Sequence, residues 1–75
     1  IGIADWGYNY ISVKNCYVSG FERGFNGNPM NYSYLLNDTF TSNTYGTTLY
    51  SAYYNVINES NFSGNTNLGL YLDST

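Results

Sequence analysis

Apolar and polar positions along the chain come in short alternating bursts, and the bursts recur. Val13, Leu35 and Ile57 lie 22 residues apart, as do Val18, Phe40 and Phe62; Gly2, Gly24 and Gly46 keep the same interval, with Gly69 one residue late. The segments VKNCYVSGFERGF, LLNDTFTSNTYGTTL and INESNFSGNTNLGLYL each run strand, polar turn, small residue, Gly and second apolar strand. Alternation over so few residues, rich in Tyr, Phe, Val, Ile and Thr, predicts short strands rather than helices. Gly20, Ser42 and Gly64, with Asn43 and Asn65, put turn formers at one place in every unit. Gly and Asn tolerate left-handed backbone, so these positions predict corners.

A fixed period of this length marks a solenoid, in which each unit buries its apolar face only by stacking on the next. Leucine-rich repeats have a similar period, but they need spaced leucines and helix-forming residues that these units lack. The expected architecture is all-β: a right-handed, single-stranded parallel β-helix of about three and a half coils. Its coils fall approximately at 1–23, 24–45, 46–68 and, as a partial coil, 69–75. Equivalent positions in adjacent coils then stack about 4.8 Å apart. Val13/Leu35/Ile57 and Val18/Phe40/Phe62 become interior ladders. Cys16, Asp38 and Ser60 form another such column, and the charge of Asp38 predicts that it points outward or sits at a corner. Pro29, within GNPMNYS, predicts a wider loop.

ISVKNCYVSG, YLLNDTFTSNTYGTTLY and NVINESNFSGNTNLGLYL resemble the units of the right-handed parallel β-helix repeat family, and the resemblance covers nearly the whole chain. It implies a solenoid module of the kind found in large extracellular surface proteins and in enzymes with the pectate-lyase-like superfold.

Composition narrows the function. Among 75 residues there are two basic and five acidic side chains, for a net charge of −3, which argues against a nucleic-acid partner. One cysteine and no histidine exclude an internal disulfide and give no zinc-ligand set, and no cofactor is expected. There is no apolar run long enough for a membrane-spanning helix, so membrane insertion is not expected. A chain of this size buries little surface on its own. Its stability is therefore expected to come from neighbouring coils, and its start at Ile1, already within an alternation, reads as that of an excised piece. The strand edges at both ends invite a partner, either further coils of the same chain or identical subunits stacked head to tail.

Candidate chemistry is sparse. The acids are Asp5, Glu22, Asp38, Glu59 and Asp73, and the bases are Lys14 and Arg23. Asp38 and Glu59 stand almost one coil apart, but glycoside hydrolysis needs paired carboxylates converging on one face, so no catalytic residue is assigned and the chain is not read as an enzyme. Glu22 and Arg23 read as a solvated pair in a turn, and Cys16 as a small residue filling a strand position. Ten tyrosines are the larger surface feature. Tyr32, Tyr34, Tyr50, Tyr53 and Tyr54 are expected to cluster around the middle coil, as a contact surface or simply as strand-forming residues. Four Asn-X-Ser/Thr triplets, at Asn31, Asn37, Asn58 and Asn61, are N-glycosylation candidates, with Asn31 and Asn58 favoured as corner positions. The reading is an extracellular structural protein, a component of a surface layer, sheath or fibre built by stacking coils, with glycans as further partners. The alternative is a carbohydrate-binding or adhesin module, or a non-catalytic segment of a polysaccharide-degrading enzyme.

Overall fold

A computed structural model of the protein describes residues 1–73. Its strands are β1 (Ile3–Asp5), β2 (Ser12–Lys14), β3 (Tyr17–Val18), β4 (Arg23–Gly27), β5 (Tyr34–Leu36), β6 (Thr39–Phe40), β7 (Tyr45–Tyr50), β8 (Val56–Asn58) and β9 (Leu68–Asp73). They form three parallel sheets ordered β1-β4-β7-β9, β2-β5-β8 and β3-β6, and an isolated bridge between Thr39 and Asn61 extends the third. The chain visits the three faces in turn and comes back to each one coil further on. The result is a parallel β-solenoid of about three turns, 27 × 22 × 15 Å across its principal axes.

The register follows the 22-residue interval. Val13 pairs with Leu35 and Leu35 with Ile57, and Val18 pairs with Phe40. The rings of Phe40 and Phe62 stack 5.6 Å apart, only 11° from parallel, so both predicted ladders form. Between them the interior is filled by Phe25, whose ring meets Phe40 edge-on at 6.3 Å, and by Met30, Leu49 and Ala52. Burying each large apolar side chain contributes about 1.5–3 kcal/mol. Most of that gain lies in the middle coils, which have a neighbour on either side.

Left-handed backbone recurs in columns and makes the corners: Tyr10, Tyr32 and Tyr54; Asn15, Asn37 and Glu59; Gly20, Ser42 and Gly64. Here the structure departs from the sequence reading. Ser42 and Gly64 turn the chain, while Asn43 and Asn65, expected to share that task, instead direct their side chains into hydrogen bonds with the coil below. The loop expected to widen around Pro29 does not. Gly27 pairs with Leu49 and Tyr34 with Val56, so the interval is unbroken across it. Pro29 follows a cis peptide bond at the place that Gly7 and Ser51 take in the neighbouring coils, and Met30 beside it is fully buried.

One residue is extra. Tyr45 pairs with Leu68, an interval of 23, and the carbonyl of Thr44 accepts hydrogen bonds from the amides of both Asn67 (2.9 Å) and Leu68 (3.3 Å). The insertion explains why Gly69 comes late in its column. That glycine column is where the walls approach most closely: a Cβ on Gly24 would lie 2.6 Å from the carbonyl oxygen of Gly46 and 2.8 Å from Nδ2 of Asn43.

Candidate functional site

In three corner columns, side chains from one coil clamp the corner of the coil before it. Oδ1 of Asn43 accepts the amide of Phe21, and its Nδ2 donates to the carbonyl of Val18. Asn65 does the same one coil on, accepting the amide of Asn43 and donating to the carbonyl of Phe40. At a second corner Ser33 Oγ accepts the amide of Ile11, and Asn55 accepts that of Ser33 while donating to the carbonyl of Met30. At the third, Asp38 Oδ1 accepts the amide of Cys16, and Ser60 Oγ accepts that of Asp38. A buried corner exposes backbone groups that strand pairing leaves unpaired, and leaving such a group unsatisfied costs about 1–3 kcal/mol. In these columns small polar side chains fill that need.

Of the two places expected for Asp38, the structure shows the corner. The column does sit at a corner, but Asp38 does not point outward: it is 1% exposed. A carboxylate oxygen suits the position because it caps the Cys16 amide, and that cap outweighs the pattern expected of a charge. Burial pushes the Asp38 carboxyl above the usual carboxylate range, partly offset by hydrogen bonds from the backbone of Cys16 and Leu36. Its Oδ2 is buried without a partner. Cys16 and Ser60, in the same column, each donate to the carbonyl two residues back, those of Lys14 and Asn58.

Where the stack stops, the interior opens. Leu49 is 2% exposed, but Leu72, its partner in the next coil, is 54% exposed. Ile57 and Phe62, whose counterparts Leu35 and Phe40 are fully buried, are only partly covered. A groove of about 390 Å³ lies between Leu49, Ala52, Tyr54, Asn55, Ile57 and Leu72.

The tyrosines do not form one cluster. Tyr10, Tyr32 and Tyr54 stack along the corner they turn, with centroids 5.4 and 5.0 Å apart and planes within 13°. Tyr10 belongs to this ladder although the sequence reading left it out; its 22-residue spacing to Tyr32 was the available signal. Tyr34 is exposed on β5 and Tyr53 beside the ladder, while Tyr50 packs against Tyr71 at 5.7 Å. Within the ladder Tyr32 has a ring on each face, while Tyr10 and Tyr54 each have one face against Tyr32. The sideways surface is therefore ring edges and hydroxyls, not the flat faces on which a sugar ring stacks.

Arg23 is not in a solvated turn pair. It begins β4, half-buried, with its guanidinium carbon 6.0 Å from the Tyr45 ring centroid and 5.9 Å from that of Tyr50, and its Nε lacks a hydrogen-bond partner. Glu22 is exposed beside it, and Glu59 is exposed at a corner, whereas Asp38 faces inward. The two acids one coil apart thus differ in environment.

The four glycosylation candidates also differ. Asn31 is half-buried, and its Oδ1 accepts the amide of Tyr53. Exposed Asn37 donates from Nδ2 to Oδ1 of Asn15 at 2.7 Å, and Asn61 accepts the amide of Ser63 within its own triplet. Asn58 is exposed at the end of β8, just before the corner at Glu59. Of the two favoured from sequence, Asn58 is thus the more accessible. Comparisons with family models, curated proteins and solved structures find no match to this chain.

Proposed function

We propose that this chain is a length of structural solenoid from an extracellular surface protein, a shaft of a layer, sheath or fibre that gains length coil by coil. The observation that carries the reading is the uncovered interior beside Leu72, Ile57 and Phe62: these side chains have the chemistry of the core and lack only the next coil. Parallel strands joined by crossovers are overwhelmingly right-handed, which supports placing the chain with right-handed parallel β-helices. Low charge and the exposed sequon at Asn58 agree with a place outside the cell. The functional groups are spent on holding coils together, with the buried Asn43 and Asp38 engaged at corners.

Glycopeptide mass spectrometry of native material tests the location: a glycan on Asn58 is the expected result, and unmodified protein recovered from the cell interior overturns it. Small-angle scattering of the native protein tests the shaft. The particle should be a rod lengthening by about 4.8 Å for each 22-residue coil, and a globular particle overturns the reading.

A further inference from the structure

The clamps share a direction. In the three corner columns, the amides of Ile11, Cys16 and Phe21 donate to the side chains of Ser33, Asp38 and Asn43, and the amides of those three donate to Asn55, Ser60 and Asn65. Every such amide is closed by the coil that follows it. By the same repeat, the amides of Asn55, Ser60 and Asn65 are directed to a coil beyond the last one, on the side where the groove and the uncovered Ile57 and Phe62 lie.

We propose that the end of the solenoid formed by β8 and β9 is a docking surface for one further coil. That coil presents side-chain oxygen acceptors (Asn, Asp or Ser) at three positions spaced five residues apart. The proposal rests on the shaft reading above and names the partner which that reading requires. Its apolar side chains cover Ile57 and Phe62 and fill the groove over Ala52, while its three acceptors close the waiting amides.

A second copy of this chain does not fit. Its first coil carries Ile11, Cys16 and Phe21 in the clamp columns, which offer two hydrocarbon side chains and a weakly accepting sulfur.

Amide hydrogen exchange followed by NMR tests the proposal on the chain as it is. The amides of Asn55, Ser60 and Asn65 should exchange at least about tenfold faster than those of Ser33, Asp38 and Asn43, the loss expected for one hydrogen bond and its cover. Equal rates overturn the proposal. Appending a copy of residues 53–73 after residue 75 supplies the missing coil in register. The three fast amides should then slow by a similar factor, and should stay fast when the appended coil carries Ile, Cys and Phe in the clamp columns.

If both extended chains protect Ile57 and Phe62 and slow the three amides alike, the acceptor requirement is wrong and the shaft reading stands. If neither extension docks, both readings fail. Filaments of the unextended chain in sedimentation would show that a copy does fit, and would overturn the choice of partner.

Discussion

Asn43 stands 22 residues after Phe21 and holds its amide at 2.9 Å, while the other end of the same carboxamide reaches the carbonyl of Val18 at 3.1 Å. One side chain thus ties both sides of a corner it does not belong to. Asn43→Leu keeps the volume but leaves the part-buried Phe21 amide without a partner and takes one of two donors from the Val18 carbonyl, which keeps the Thr41 amide, and should destabilise the fold by about 1–3 kcal/mol. The same change at Asn65 strips a partner from Asn43 and Phe40, which are 1% and 0% exposed where Phe21 and Val18 are 43% and 8%, and should cost at least as much. Urea titrations of the two variants give the comparison, and an Asn43→Leu protein as stable as its parent would refute the clamp.

Thr47 shows the opposite case. It is fully buried in the column of Ile3, Phe25 and Leu70, and its hydroxyl has no partner. Thr47→Val keeps the shape and removes the unsatisfied group, so it should raise stability by about 1 kcal/mol. A lower melting temperature in calorimetry would show that the hydroxyl has a bond in solution.

Asp38 makes stability depend on pH. Burial raises its folded pKa, so the folded chain holds this proton more tightly than the unfolded chain does. Its contribution is most favourable below the ordinary carboxylate range, declines as pH rises from that range through the raised value, and is level above it. Asp38→Asn keeps an oxygen for the Cys16 amide and brings no titrating group into the buried corner. The variant's advantage over the parent should therefore grow with pH across that window. Melting temperatures at a series of pH values measure it, and a constant difference would refute the assignment.

Gly24 should tolerate no side chain. Its added Cβ would press on the Gly46 carbonyl and on Asn43 Nδ2, neither of which can retreat without breaking a strand pair or a clamp. Gly24→Ala should cost about 1–3 kcal/mol. Gly20→Ala meets open space and carries only the penalty of a left-handed backbone at φ 84°, about 1 kcal/mol. A loss at Gly24 no larger than that at Gly20 would refute the close approach at Gly24.

These contrasts show what the chain's text could reveal. Val13/Leu35/Ile57 was legible because like residues recur at one spacing, and stacking needs only that. Phe25 and Met30 were not, since their columns mix Ile, Phe, Thr and Leu, or Tyr, Met and Ala, and no single type recurs to announce the core. Pro29 suggested an insertion because proline usually interrupts, yet the pairs on either side keep step. The inward hydrogen bonds of Asn43 and Asp38 were not legible, for a shared reason. Polarity normally signals solvent or a turn, whereas these side chains meet the backbone's own demand for partners inside the stack. That demand arises one coil away and cannot be seen in the neighbouring sequence.

The insertion beside Thr44 bears on how such a chain can change length. A single surplus residue is taken up between Asn65 and Leu68, just past a clamp, where one carbonyl serves two amides. Elsewhere, removing one residue would turn alternate side chains of a strand to the opposite face. Removing 22 would join one clamp column directly to its next equivalent. The natural unit of gain or loss is accordingly a whole circuit, which gives a gene for this solenoid a preferred size of duplication, and leaves a tolerant corner where its count can drift.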